Sequence, residues 1–88
     1  MRFEFDPAKS AANLAKHGIN FLTAQELWER PTLAAPSTSS LEPRTANVGT
    51  VNGKHWTVIT TQRGDVTRII SARRSRMEEV EAYEEKSY

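Results

Sequence analysis

A short strand followed by a helix is predicted at the start of the chain. Residues 2–5 alternate charged and aromatic side chains, which is the period of a half-buried strand. Asp6 and Pro7 then indicate a helix start, because Asp caps free backbone N–H groups and proline is tolerated at the first helical position. Gly18 is placed to end the helix in a left-handed C-cap. The pattern therefore predicts a helix over residues 7–17.

A second, shorter helix and a loop are predicted next. Thr23 and Glu26 have the spacing of a capping box and Pro31 would end the helix, which predicts a helix over residues 23–30. Residues 31–40 combine two prolines with Ser and Thr and carry no charge. This composition is typical of an irregular loop.

The second half of the chain changes to β-branched residues separated by turn signals. Asn52-Gly53 is typical of a tight hairpin, and an Arg-Gly-Asp turn follows. The pattern predicts three consecutive antiparallel strands, over residues 42–51, 55–62 and 66–73.

The last segment predicts an acidic helix that completes the fold. Ser75 and Glu78 have capping-box spacing at the start of a helix over residues 76–87, whose apolar stripe includes Met77 and Tyr83. The element order is then β-α-α-β-β-β-α. We expect a small α+β domain with helices packed on one face of an antiparallel sheet.

Length and composition indicate one small domain, residues 1–88. A chain of 88 residues is too short for two cores, and 38% hydrophobic with 26% charged residues fits a folded domain. There is no cysteine, which excludes a disulfide scaffold and thiol chemistry. The chain has no apolar run long enough for a bilayer and no secretory leader pattern, so we expect a soluble, cytoplasmic protein.

The net charge of +1 hides a strong asymmetry along the chain. Residues 1–76 hold eleven Lys or Arg and six acids, a net charge of +5, whereas residues 77–88 hold one Lys and five Glu, a net charge of −4. Eight of the twelve cations are Arg, whose planar fork suits phosphate. A basic body with an acidic last helix favours an anionic partner, and an ordinary solvated helix is the plainer alternative.

Most kinds of catalytic site lack support in this sequence. His17 and His55 lie in different elements, so no metal-ligand spacing exists, and no glycine-rich phosphate loop or nucleophile elbow is present. A set of arginines and a few acids remain, which could cleave RNA without a metal. That reaction needs a base for the 2′-hydroxyl, cations for the phosphorane charge and an acid for the leaving oxygen.

The spacing of these residues leaves alternatives open. Glu42 and Arg44 share one strand face if the strand is regular, and an ion pair of low energy is the alternative to catalysis. Arg68 and Arg73 are five residues apart, so they lie on opposite faces unless a bulge intervenes. Arg68 could instead pair with a Glu of the last helix, and Tyr83 could serve core packing.

The chain resembles the BrnT toxins of bacterial type II toxin–antitoxin systems, which are similar to the RelE superfamily of small ribonucleases. The resemblance is carried by an ordered set of motifs: FEFDPAKSAANLAKHGINF at residues 3–21, Glu42-x-Arg44, Gly49, Arg63, RIISARRS at residues 68–75, and Glu79 with Tyr83. Each motif alone is weak, but the set at matching spacing covers most of the chain. Thr60 stands where such proteins commonly have an aromatic residue.

The resemblance implies an endoribonuclease that needs neither metal nor cofactor and inhibits translation. It also implies a BrnA-like ribbon–helix–helix antitoxin as partner in a hetero-oligomer, which would contact operator DNA only through the antitoxin. The alternative is a catalytically degenerate module that binds antitoxin or nucleic acid without cleavage. The implied catalytic residues are Glu42, Arg44, Arg63, Arg73 and His17. The implied RNA-binding residues are Lys16, Arg68 and Tyr83, to which the cation cluster at the strand end adds Arg74.

Overall fold

The computed structural model describes residues 1–37 and 42–86. Its helices and strands, in chain order, are β1 (Arg2–Glu4), α1 (Pro7–His17), α2 (Phe21–Ala24), a 3₁₀ turn (Gln25–Glu29), β2 (Leu33–Ser37), β3 (Arg44–Val51), β4 (Lys54–Arg63), β5 (Val66–Arg74) and α3 (Met77–Lys86). Within these residues, no helix is both long enough and apolar enough to span a membrane.

The five strands form one mixed sheet in the order β1-β5-β4-β3-β2. β1 pairs in parallel with β5, and the other neighbours are antiparallel. The predicted α+β class and the predicted order of helices and strands are confirmed. The parallel β1 makes the sheet mixed rather than wholly antiparallel, because α1 carries the chain across the sheet between β1 and the rest.

One face of the sheet, the inner face, holds the hydrophobic core. Phe21 and Leu27 from the α2 region pack there on Val58, Ile69 and their neighbours, and the four named side chains are fully or almost fully buried. Phe3, Phe5 and Trp28 close the margin of this core, with rings in tilted or edge contact. α1 and α2 therefore cover the inner face.

α3 lies against the opposite face, which we call the outer face. Successive residues of a strand point to opposite faces, so Thr57 points outward when Val58 points into the core. Thr57 Oγ1 donates to Glu79 of α3 at 3.1 Å and bonds the Ser75 hydroxyl at 2.8 Å. The placement of all helices on one face is therefore wrong for α3. Its contacts with the sheet are largely polar, and only Tyr83 is buried while Met77 is 76% exposed.

The predicted loop over residues 31–40 contains a strand. Leu33–Ser37 pairs antiparallel with β3 and forms an edge of the sheet. Its proline, Pro36, is compatible with that position because an edge strand need not donate every ladder hydrogen bond. The prediction for residues 38–40 lies outside the described residues. The composition of this segment indicated a loop, but the segment forms a strand because it pairs with the edge of β3.

Helix starts agree with the sequence in one case and differ in two. Asp6 accepts from the Ala8 N–H at 2.8 Å, which confirms the predicted cap of α1. The next helix starts earlier than predicted, because Asn20 caps it through the Thr23 N–H at 2.8 Å. The capping box of α3 is shifted by one residue. Glu79, rather than Glu78, reaches back to the Arg76 N–H at 2.7 Å.

α1 is tied to the sheet by one buried amide. Asn13 Nδ2 donates to Ala72 O at 2.9 Å and to Ile19 O at 2.8 Å, and its Oδ1 accepts from the Ala72 N–H at 3.2 Å. β1 pairs only with residues 66–68 of β5, so Asn13 takes the place of a strand further along that edge. This contact fixes α1 beside β5.

Gly49 allows close packing inside a strand, although a glycine is more often found in a turn or a helix cap. It lies inside β3 opposite Trp56. A Cβ at this position would come within 2.9 Å of Leu27 Cγ and 3.3 Å of Thr32 Cγ2. Glycine is required because the 3₁₀ turn lies directly on the strand.

Candidate nucleic-acid groove

A groove of about 470 Å³ runs over the outer face of the sheet. The residues that line it, which define the outer groove, come from β2, β3, β4, β5 and the start of α3: Pro36, Ser37, Arg44, Ala46, Ile59, Ser71, Arg73, Arg76 and Glu79. Three of them are arginines and one is a carboxylate. α1 and α2 leave this face uncovered because their apolar residues are used on the inner face.

Strand register explains how the outer groove is built. Ala46 pairs with Ile59, and Ile59 pairs with Ser71, so these side chains form a row across the middle of the groove. Arg44 lies two residues before Ala46, and Arg73 lies two residues after Ser71 on a strand that runs in the same direction. With strand spacings of about 4.8 Å and rises of about 3.3 Å, their Cα atoms are roughly 16 Å apart at diagonal corners. Both side chains are long enough to reach towards the middle.

A β-bulge decides which face Arg73 occupies. Thr60 pairs with Ile69 and Ile59 pairs with Ser71, so Ile70 is an extra residue in β5. The insertion reverses the alternation once, which brings Arg68 and Arg73 to the same, outer face although five residues separate them. Without the bulge Arg73 would point to the core side.

Arg73 and Glu79 form the best-ordered ion pair of the groove. Arg73 donates to Glu79 Oε1 at 2.7 Å and to Oε2 at 2.8 Å. The carboxylate also accepts from the Arg76 N–H and the Thr57 hydroxyl. Hydrogen bonding to Arg73 lowers the pKa of Glu79 from 4.5 to about 2, and bonding to Glu79 raises the pKa of Arg73. Both groups are therefore charged at neutral pH.

Arg44 differs from Arg73 because part of its guanidinium lacks a partner. Its Nε is buried and makes no hydrogen bond within residues 1–37 and 42–86. A buried donor of this kind is uncommon, since most buried polar groups are paired. Arg44 also lines the outer groove with two further arginines, and such a set of cations is well suited to an anionic oxygen.

The structure brings two of the predicted catalytic residues, Arg44 and Arg73, to this one groove. By alternation Arg63 points to the same face from the exposed end of β4, four residues beyond Ile59. Arg68 also faces outward, but its guanidinium binds Glu4 at 3.0 Å. The alternative that Arg68 pairs with the last helix is thus wrong, because the parallel register sets Glu4 directly beside it.

Three other predicted residues do not line the groove. Arg74 points to the inner side, where its guanidinium lies 5.5 Å from the Trp56 ring. Tyr83 is the buried residue of α3. Its ring is in edge contact with His55, and its hydroxyl donates to Pro31 O at 2.8 Å. Glu42 is exposed and precedes the start of β3, so the strand geometry expected for it does not apply.

Lys16 and His17 line a separate hollow of about 230 Å³ between α1 and β5. Ser71 lines both this hollow and the outer groove. The two predicted residues are thus next to the groove, across the edge of β5, and not inside it.

Sequence reasoning missed two charged residues of the groove, Arg76 and Glu79. Arg76 and Glu79 are three residues apart, which is the spacing of a capping box. Ser75 and Glu78 have the same spacing. Ser75 does not cap, because its hydroxyl is bound to Thr57. The side chain of Thr60 does not line the groove. It is buried on the inner side, where its hydroxyl accepts from Asn47 at 3.0 Å.

A metal site is not evident from the side chains. Among the residues for which the structure gives positions, no group of three or more His, Asp or Glu side chains could hold a metal ion.

Comparison with known families agrees with the groove. A family model described as "Ribonuclease toxin, BrnT, of type II toxin-antitoxin system" matches residues 5–79, which is most of the chain and includes every residue that lines the groove. The chain belongs to the BrnT family. A search of curated proteins found no match. The BrnT family is one of ribonuclease toxins, and a type II system implies an antitoxin partner and an RNA substrate.

Proposed function

We propose that this protein is a metal-independent endoribonuclease that cleaves RNA in the outer groove and thereby inhibits translation. One observation carries the proposal. In a family of ribonuclease toxins, this chain has a groove on the outer face of the sheet that is lined by three arginines, Arg44, Arg73 and Arg76. Single-stranded RNA supplies the anionic oxygens that such a groove would bind.

The arginines serve the phosphate. Arg44 and Arg76 contact the scissile phosphodiester, and Arg73, held in place by Glu79, neutralises charge that develops on its oxygens in the transition state. Fixed cations of this kind favour the transition state more than the ground state. Arg63, at the end of the same face, adds positive potential that attracts the strand.

Proton transfer is assigned to groups outside the Arg73 ion pair. Glu79 is a weak base because its pKa is about 2 and its oxygens already accept four hydrogen bonds. We assign the base that takes the proton of the 2′-hydroxyl to Glu42, two residues from Arg44. His17 is the second candidate, since its hollow meets the groove at Ser71. Attack of the 2′-oxygen on phosphorus then breaks the bond to the 5′-oxygen, which takes a proton from water and leaves as a 5′-hydroxyl. The other product keeps a 2′,3′-cyclic phosphate.

The cellular setting follows from the family. In this proposal the toxin acts in the cytoplasm and is held inactive in a hetero-oligomer by a BrnA-like ribbon–helix–helix antitoxin. Co-expression with such an antitoxin should restore growth to cells that produce the toxin.

The test is cleavage of 5′-labelled RNA by purified protein in excess EDTA. Wild type should give fragments with 2′,3′-cyclic phosphate ends, and RNA with 2′-deoxy sugars should stay intact. Arg44→Ala should lower the cleavage rate by about 10²–10³-fold, as is typical for loss of one oxyanion-stabilising donor. Arg30→Ala is the matched control, because Arg30 is exposed and lies outside the groove.

Two results would count against the proposal. Cleavage that stops in EDTA and returns with a divalent ion would overturn metal independence. Salt-sensitive RNA binding without cleavage would favour the degenerate binding module instead.

A further inference from the structure

The hollow beside α1 has the shape and chemistry of a nucleotide site. Its floor is apolar and is formed by Ala12, Phe21 and Ile70, while Lys9, Lys16 and His17 form its rim. Lys9 and Lys16 are seven residues apart on one helix, so their Cα atoms are about 10.5 Å apart on nearly the same face. No acidic residue of the described chain lines the hollow.

The β-bulge is the reason why this hollow has an apolar floor. Ile69 is used in the core, and the inserted Ile70 has no partner residue in β4. Ile70 is half-buried and lines the hollow next to Ser71. The same insertion that turns Arg73 into the outer groove therefore also places an apolar side chain beside α1.

The hollow and the outer groove adjoin at Ser71. Ser71 lines both, and no strand covers the edge of β5 after Arg68, where β1 ends. A single RNA strand lying in the groove can pass over this edge without meeting another element of the sheet. Charge complementarity favours that course, because both cavities have cations along their walls.

We propose that the α1 hollow is a second subsite of the same RNA strand and holds a nucleotide next to the scissile phosphodiester. The base packs on Ile70 and Ala12, and Lys9 and Lys16 bind the phosphates on either side of it. His17 lies beside this nucleotide on the rim of the hollow. This inference rests on the proposed function, because it extends the groove assigned there.

Binding of 2′-O-methyl RNA tests the subsite without cleavage. Fluorescence anisotropy should be measured for an eight-nucleotide and a two-nucleotide oligomer between 50 and 300 mM salt. Lys9→Ala and Lys16→Ala should each lower the affinity for the long oligomer and reduce its salt slope by about 0.7, the value for one single-strand phosphate contact. The short oligomer, held in the outer groove, should be unaffected. Lys54→Ala, an exposed lysine outside both cavities, is the matched control.

A second pair of variants avoids any loss of folding. Ala12 is exposed on α1, so Ala12→Glu and Ala12→Gln should fold alike. Ala12→Glu should bind the long oligomer at least about tenfold more weakly than Ala12→Gln, because the two side chains have nearly the same size and only the carboxylate repels phosphate.

The outcomes separate this inference from the proposed function. Equal losses of affinity for Lys16→Ala and Lys54→Ala would show a general charge effect and overturn the subsite, as would equal affinities of Ala12→Glu and Ala12→Gln. If the long oligomer is bound as expected but no RNA is cleaved, the subsite stands and the endoribonuclease proposal fails. If RNA is cleaved while the lysine and Ala12 variants bind like wild type, the endoribonuclease proposal stands and the subsite fails.

Discussion

Arg73 and Glu79 meet through two parallel hydrogen bonds, of 2.7 and 2.8 Å, that join the last strand to the last helix. Arg73 occupies the outer face only because of the bulge at Ile70, and Glu79 reaches it only because the helix starts at Arg76. Two such bonds fix the plane of the guanidinium as well as its position. This pair therefore links the orientation of a groove cation to the docking of α3.

Glu79→Gln should weaken both the fold and the proposed activity. Gln keeps the size of the side chain but cannot accept two charged hydrogen bonds from Arg73. We expect the free energy of unfolding to fall by about 1–2 kcal/mol, since the pair is partly open to solvent. RNA cleavage should slow by more than the loss of folded protein explains. Urea unfolding and cleavage rates measure the two effects, with Glu78→Gln, an exposed neighbour, as the control. Equal behaviour of the two variants would contradict the prediction.

The free energy of unfolding should depend on pH through the protonation of Glu79. Its pKa is lowered from 4.5 to about 2 on folding. A lowered pKa means that the unfolded state binds the proton more tightly, so the stabilisation is fully present above about pH 4.5 and is lost as the pH falls towards 2. The difference in unfolding free energy between wild type and Glu79→Gln should be constant from pH 7 to 5 and then shrink. A difference that grows on acidification would show that another group is responsible.

Gly49→Ala should destabilise the domain without touching the groove. Its methyl group would lie 2.9 Å from Leu27 Cγ, and Leu27 is fully buried. Overpacking of this kind typically costs about 1–3 kcal/mol. Leu27→Ala removes the clash but leaves a cavity, so the double variant should be more stable than the sum of the two single effects predicts. Thermal unfolding of the four proteins tests this, and strict additivity would show that the close approach has no consequence.

Asn13→Ala should be among the most damaging changes on α1. It leaves the N–H and C=O of Ala72 and the C=O of Ile19 without their partners. Buried groups left unpaired cost about 1–3 kcal/mol each, and partial access of water reduces the total to about 2–4 kcal/mol. Leu14→Ala, next in sequence and 48% exposed, should cost less than about 1 kcal/mol. Chemical denaturation distinguishes them, and a loss for Asn13→Ala no larger than for Leu14→Ala would refute the role of the amide.

Local sequence was sufficient for those elements whose signals need only near neighbours. The cap at Asp6, the left-handed Gly18 and the Asn52-Gly53 hairpin are all confirmed, with φ values of 85° at Gly18 and 52° at Asn52. Each depends on a few consecutive residues and on the conformations that their side chains allow. The α+β class and the BrnT family followed from the order of such elements and motifs.

Tertiary structure alone decided where the cations point. From the sequence alone, the five-residue spacing of Arg68 and Arg73 predicts opposite faces unless a bulge intervenes. The bulge itself is set by the pairing of β4 with β5 and leaves no local signal in the sequence. The same holds for β2, whose charge-free segment becomes a strand only because β3 offers an edge, and for Gly49, which is small because Leu27 lies above it. The amino-acid sequence thus determined the fold class, the family and the basic character of the chain. The groove was decided by long-range register, because one inserted residue in β5 moves every later side chain to the other face.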